Sequence, residues 1–376
     1  MKKALIHDWF YTNAGGEKVV KSLTNIWDDF EFYALIDVLN EKDRKDILKG
    51  AKSNTSFIQK LPTAKKNHRK FLQLFPLAIE GFNLAEYDIV ISSSSSVAKG
   101  VLTDQNQLHI CYCHSPMRYA WNLYFDYLKS KSLLKGIKGW YAKYVLHKIR
   151  QWDVASSNRV DYFIANSNYI ARRIKKIYNR EAAVIYPPVD TDVFELCTDK
   201  EDYYVAASRL VSYKKIEVII KAFNSLPDKK LIVIGDGPDR KNLQKIAKEN
   251  IKFEGNVSEN KMVKLLQKAK ALVFAADEDF GIIPVEAQSC GTPVIGYKKG
   301  GLLETIIEDK TGVFFHEQTP SSITQALRKL EKTEFSSVLI RENALRFSRQ
   351  RFEREIKVFI EEKVKCFFND TGFNEA

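Results

Sequence analysis

Two series of short, unbroken apolar runs alternate with segments of helical periodicity, and this alternation limits the folds open to the chain. The first series is Ala4-Leu5-Ile6, Asp88-Ile89-Val90-Ile91, Ile110-Cys111-Tyr112-Cys113, Tyr162-Phe163-Ile164-Ala165 and Ala183-Val184-Ile185-Tyr186. The second is Tyr203–Ala207, Leu231–Ile234, Ile251–Phe253, Ala271–Ala275 and Pro293–Ile295. Strands apolar on both faces must be covered on both faces, which implies parallel sheets sandwiched between helices. The intervening helices carry one apolar face each: Val19, Val20, Leu23, Ile26 and Trp27 after Gly15-Gly16, and Ile216, Ile219, Ile220 and Phe223 within 216–226; a third helix is expected over 261–269. Pro187-Pro188 separates the two series, and after Pro320 the chain reads as helical to about Phe368. The expectation is α/β: two Rossmann-like, doubly wound domains over 1–187 and 188–350, with a C-terminal helix in 351–376 packing back toward the first. In such sheets ligands sit at the carboxyl ends of the strands. Ser92–Ser96 reads as a strand-to-helix turn.

Hydrophobic residues are 45% and charged residues 28%, the balance of a soluble globular chain. No run approaches the ~18 apolar residues of a membrane span. His7 and Asp8 interrupt the amino terminus too early for a signal peptide. The five cysteines (Cys111, Cys113, Cys197, Cys290 and Cys366) are odd in number and mostly sit in apolar runs, so no disulfide framework is expected and the compartment reads as cytosolic. The net charge of +12 is concentrated: Lys60–Lys70 holds five basic residues and Lys129–Arg150 seven, neither with an acid. That suits an anionic partner (membrane, nucleic acid or phosphorylated ligand), or equally a pair of solvated helix faces when either segment is taken alone. In the second segment the charges interleave with Leu133, Leu134, Ile137, Trp140, Tyr141, Tyr144, Val145 and Leu146, which fits a helix lying on an anionic bilayer. No nucleic-acid-binding module surrounds either segment, and no nucleic acid is expected.

Three strand-to-helix turns carry the candidate chemistry. Ala275–Ala287 runs from a buried strand through Glu278, Asp279, Phe280, Gly281, Ile282 and Ile283 into a helix with Pro284 in its first turn. Amides at that helix start suit an anion or a ring of hydroxyls. Glu278 and Glu286, with seven residues between them, could hold two parts of a polyhydroxylated ligand; by themselves they read first as a capping acid and a surface acid. Ser208–Lys215 leaves another strand, and Arg209 with Lys214 makes a fork and a point charge suited to a diphosphate, or an ordinary basic loop. Gly15-Gly16 lets the backbone approach a phosphate, yet it is neither a Walker loop nor a full G-x-G-x-x-G. Gly235-Asp236-Gly237-Pro238 reads as a turn.

Taken together, the Arg209–Lys214 spacing, the Glu278–Glu286 string, Gly15-Gly16 and the two-domain plan resemble the retaining glycosyltransferases of family 4, with the GT-B fold. The segments Leu108–Trp121 and Ser208–Lys214 are similar to the O-antigen mannosyltransferase branch, with Lys215 where most of the wider family has glycine. The resemblance implies transfer of a sugar, most simply mannose from GDP-mannose, to a lipid-linked glycan in surface polysaccharide (O-antigen or capsule) biosynthesis. It implies two domains facing a cleft. Arg209 and Lys214 neutralise the donor diphosphate, Gly15 and Gly16 bring amides to it, Glu286 takes the ribose, and Glu278 with the amides of Asp279 to Ile282 holds the sugar. His114 lies beside sugar and acceptor, and Arg118 faces an anionic acceptor. No cofactor and no metal are expected. Asp190-Thr191-Asp192 matches an Asp-x-Asp metal motif only on paper, and Cys111-Tyr112-Cys113-His114 is half a zinc site without a second half. The implied location is cytoplasmic, peripheral on the inner face of the plasma membrane. The alternatives are another GT-B sugar-nucleotide enzyme, such as an epimerase or a soluble transferase, and a basic nucleic-acid-binding protein. The latter leaves Glu278 and Glu286 unexplained.

Overall fold

The computed structural model describes residues 1–12 and 14–370. The chain divides into two units: Met1–Tyr186 with the chain from Phe352 onward, and Pro187–Arg351. The first contains a seven-stranded sheet of β1 (Lys3–His7), β2 (Phe30–Ala34), β3 (Ser53–Thr55), β4 (Ile89–Ser94), β5 (Leu108–Cys113), β6 (Tyr162–Ala165) and β7 (Ala182–Val184), in the order β3-β2-β1-β4-β5-β6-β7. The second holds six strands, β8 (Tyr204–Ala207), β9 (Leu231–Ile234), β10 (Ile251–Gly255), β11 (Ala271–Phe274), β12 (Val294–Tyr297) and β13 (Gly312–Phe315), ordered β10-β9-β8-β11-β12-β13. Each adjacent pair of strands is parallel.

The strands are buried on both faces, as their composition requires. Along β1, Ala4 and Ile6 enter one core and Leu5 the opposite one. Along β8, Tyr204 and Ala206 face away from Val205. Both sheets reverse their order of growth once, between β1 and β4 and between β8 and β11. In sheets of this order the loops leaving the two neighbouring strands go to opposite sides, and ligands are generally taken at the carboxyl ends there.

Three strands escape the sequence reading. β2 is flanked by Asp28-Asp29 and includes Glu31, and β13 is only Gly-Val-Phe-Phe. β3 is Ser-Asn-Thr, and its strand character comes from pairing with Phe32–Ala34. Ser92–Ser94 complete β4 and do not form a turn; they pair with Cys111–Cys113 in the sheet interior. The helical region after Pro320 is broken into helices Pro320–Glu331, Ser337–Leu345 and Arg349–Asp370, with Ser336 capping the second. Phe352, Ile356 and Ile360 of the last helix join the first unit's core, and Phe352 meets the Tyr112 ring edge-on at 5.8 Å. Of the expected 351–376 element, 371–376 lie outside the described residues.

Candidate functional site

In the unit Pro187–Arg351 the loops leaving β8 and β11 meet. Arg209 is exposed just beyond β8, on a loop held by Leu210 N–H donating to the Asp236 carbonyl (2.9 Å) and Ser208 N–H to Ile234 (3.1 Å). The Gly235–Pro238 segment is therefore the shelf under the arginine loop, beyond a mere turn. A 3-10 turn, Ser212–Lys214, then presents Lys214. Lys215 follows in the left-handed region at φ 59° before the helix Ile216–Asn224, a backbone conformation that a glycine would adopt without strain.

Opposite, β11 ends at Phe274, and the chain passes Asp277–Phe280 to Gly281, whose φ of 93° favours glycine. The helix Ile282–Ser289 starts there with no side-chain cap, leaving its first amides for a ligand. Lys214 Nζ forms an ion pair with Glu278 Oε1, both side chains mostly buried. The sequence reading gave these two residues separate ligand groups; in the ligand-free site they neutralise each other. Glu286 is buried within the helix's first turns, and Phe280 is buried behind the loop. The sequence reading missed Gly300 and Gly301. Gly301 N–H donates to the Glu278 carbonyl at 2.8 Å, and a Cβ on Gly301 would lie 2.4 Å from Phe280 Cα. Lys299 pairs with Asp277 at 3.0 Å. The Lys299-Gly300-Gly301 string stands between a strand and a short helix, the same placement that singled out Gly15-Gly16, so a signal was present.

The other unit has its own cluster at the corresponding place. β1 ends at His7, β4 reaches Ser93, and His114 follows β5. His114 Nε2 lies 2.8 Å from Ser93 Oγ, and Ser93 Oγ lies 3.1 Å from His7 Nδ1. Gly16 sits over both rings: a Cβ there would be 3.2 Å from His7 Cε1 and 3.7 Å from His114 Nε2. Burial, reinforced by the charge of His7, holds the His114 imidazole down to about 3, so it is neutral near pH 7. Burial raises the Glu17 carboxyl, on the first turn of the helix Gly15–Ile26, with His7 and backbone amides opposing. Asp8 is buried and accepts from Ser95 N–H (2.6 Å), Ser95 Oγ (2.9 Å), Val97 N–H (2.7 Å) and Ala98 N–H (2.8 Å), which fixes the turn after β4. His7, Ser93 and Glu17 are residues that sequence reasoning passed over. Arg118 is partly buried in the turn Met117–Trp121 beyond His114.

Neither metal-like motif belongs to a cluster of three or more His, Cys, Asp or Glu side chains among the described residues. Asp190 faces Arg349 at 3.6 Å, and Asp192 accepts from Gln350 Nε2 at 2.5 Å. Cys111 and Cys113 are buried on one face of β5, with Tyr112 on the other.

Both basic segments belong to the first unit. Lys60, Lys65, Lys66, Arg69 and Lys70 are exposed. The second segment runs through two helices, Tyr124–Ser130 and Gly136–Ser157, and Tyr141 OH donates to Gln73 Oε1 (2.7 Å), three residues beyond the first segment. Ile137 (88%) and Trp140 (68%) are largely exposed, and Trp140 stacks on Tyr144 at 6.0 Å. Arg150 does not join this face, since it donates to the Ala120 carbonyl and covers the Tyr124 ring.

Two family profiles match adjoining stretches of the chain, 37–349 together. "Glycosyltransferase Family 4" covers residues 37–193 and "Glycosyl transferases group 1" covers 191–349. The chain belongs to the group 1 and family 4 glycosyltransferases. Among curated relatives of this glycosyltransferase chain is the GDP-mannose-dependent alpha-(1-6)-phosphatidylinositol monomannoside mannosyltransferase of Mycolicibacterium smegmatis, 30% identical over 46% of this chain and 53% of that protein. Another is the alpha-1,3/1,6-mannosyltransferase ALG2 of Mus musculus, 25% identical over 69% of this chain and 68% of that one. The chain thus spans about half the length of the first of these. The solved structure of Anabaena Alr3699/HepE with UDP and glucose superposes with a TM-score of 0.69 at 17% identity, covering 96% of this chain and 100% of that one. Sucrose-phosphate synthase from Thermosynechococcus elongatus gives a TM-score of 0.69 at 14% identity, over 97% and 100%. These likenesses show the GT-B fold of two Rossmann-like units.

Proposed function

We propose that this chain transfers a sugar, mannose from GDP-mannose, to a lipid-linked glycan acceptor in surface polysaccharide (O-antigen or capsule) biosynthesis, with retention of anomeric configuration and without a metal. The observation that carries the reading is the convergence of Lys214 and Glu278 beside an uncapped helix start at the β8/β11 reversal. A donor diphosphate takes the Lys214 ammonium, and the carboxylate this releases is then available to the sugar hydroxyls. Arg209, exposed on the same loop, adds a second cation, and Glu286 and the amides from Asp279 to Ile283 take the ribose and sugar. Departure of the nucleotide places negative charge where Lys214 and Arg209 already stand, and preorganised charge of this kind contributes more to catalysis than any other single effect. His114 and Arg118 serve the acceptor side. The names of the mannosyltransferase relatives support mannose and its GDP donor.

A thermal-shift panel tests this: GDP-mannose and GDP should stabilise the fold more than UDP- or TDP-sugars, by about 2.7 kcal/mol at a hundredfold excess over Kd. Equal shifts for every nucleotide overturn the donor, and loss of the shift in EDTA overturns metal independence.

The exposed aromatic and basic face of Gly136–Ser157 supports attachment at the cytoplasmic face of an anionic membrane, together with Lys60–Lys70. No helix among the described residues is long and apolar enough to cross a bilayer. Each Lys or Arg near an anionic surface contributes about 1 kcal/mol. Replacing Lys135, Lys138 and Lys143 by glutamate should release the protein from anionic vesicles while sparing transfer to a short soluble acceptor. Full sedimentation of that variant makes the segments a solvated surface.

A further inference from the structure

The hydrogens along His7, Ser93 and His114 can be assigned from what each atom is able to do. His7 Nδ1 lies 3.1 Å from the Ser93 carbonyl oxygen and 3.1 Å from Ser93 Oγ. A carbonyl oxygen only accepts, so Nδ1 carries the hydrogen and shares it between the two oxygens. Ser93 Oγ is then an acceptor toward His7. Its own hydrogen is fully buried and has one acceptor among the described residues, His114 Nε2 at 2.8 Å. The Nε2 lone pair is thereby engaged, and the ring hydrogen of neutral His114 sits on Nδ1. That Nδ1 makes no hydrogen bond to any described residue, and the side chain is only partly buried.

We propose that Ser93 and His7 are positioning residues that keep the hydrogen of His114 on Nδ1, so that His114 meets a substrate oxygen as a hydrogen-bond donor and is not the base that removes the acceptor's proton. This rests on the reading of His114 as a residue beside sugar and acceptor. The neutral state of the ring, set by burial and by His7, agrees with a donor that neither gains a second proton nor loses its first near pH 7. The acceptor's proton must then leave by another route, and the departing diphosphate is the available oxygen base in a retaining transfer. One bond forms between the acceptor oxygen and the anomeric carbon, one breaks between that carbon and the phosphate oxygen, and the proton ends on the phosphate.

The test is the tautomer itself. Full-length protein labelled with nitrogen-15 in its histidines gives two-bond proton–nitrogen correlations that distinguish Nδ1–H from Nε2–H, with His114→Gln identifying the His114 signals. The expected result is Nδ1–H in the wild type and a mixture of tautomers in Ser93→Ala. His7→Phe should loosen the preference in the same direction, and His7→Asn, whose amide can still donate to Ser93, should restore it. With GDP-mannose and an acceptor, Ser93→Ala should lower kcat on the order of 10-fold, the loss of one aligned hydrogen bond, with little change in donor KM. A wild-type His114 carrying its hydrogen on Nε2, or a tautomer indifferent to Ser93→Ala, overturns the proposal. Should the chain transfer no sugar, the functional reading fails by itself, because the spectra need no substrate.

Discussion

The two units reverse strand order in the same way and furnish the reversal with opposite chemistry. At the reversal between β1 and β4 stand His7, Ser93 and His114, a hydrogen-bonded row in which burial keeps His114 neutral. The reversal between β8 and β11 holds Arg209, Lys214, Glu278 and Glu286. Five of the six histidines lie in the first unit, and His316 in the second is exposed. A row of histidine and serine hydrogen-bonding groups suits sugar hydroxyls, whereas paired full charges suit an anion that displaces one of them. The shared topology explains where both clusters sit, and the side chains explain why they differ.

The largest effect should come from removing a charge. Lys214→Ala is expected to lower turnover on the order of 10²- to 10³-fold, with a smaller change in donor KM, since its interaction grows as the nucleotide leaves. Steady-state kinetics with GDP-mannose check this; near-normal turnover would place the diphosphate elsewhere.

Acid should separate the units. Burial holds His68 and His109 down to about 4, and His114 to about 3, all in the first unit. The unfolded chain takes up these protons near pH 6.5 and the folded chain does not, so stability is intact above that pH and falls as pH drops toward 4. At pH 5 the loss is on the order of 2 kcal/mol for fully buried His109 and less for His68, whose ring is partly screened by solvent. In the second unit Glu308 and Glu331 are lowered with ion pairing among the causes, so their contribution is lost only below about pH 4.5. Hydrogen exchange between pH 7 and 5 should therefore show protection falling in 1–186 while 187–351 holds; equal loss in both would remove the contrast.

Glu278→Gln sharpens the charge argument. It frees Lys214, so GDP alone should bind as tightly as to the wild type or a few-fold more tightly, while turnover falls. Calorimetry showing weaker GDP binding would mean that the ion pair organises the site and does not compete with the ligand. The smallest effect concerns the backbone: Lys215→Gly removes a side chain from a left-handed position and should stabilise the second unit by about 0.5–1 kcal/mol, seen in urea unfolding.

Much of this was legible in residue order. Strands buried on both faces announce themselves as apolar runs, hence the two series and the break at Pro187-Pro188. The Arg209–Lys214 and Glu278–Glu286 strings stand next to those runs, so their place at strand ends could be read locally. Pairing was not legible. Ser-Asn-Thr becomes β3 because Phe32–Ala34 lies beside it, and Ser92–Ser94 become strand because Cys111–Cys113 do. The sequence alone determined the α/β class, the two units and the side chains available at each strand end. Tertiary structure alone decided that Lys214 finds Glu278 across 64 residues and that Ser93 stands between His7 and His114. A hydrogen bond depends on distances of a few tenths of an ångström between groups far apart in the chain, and no local pattern encodes them.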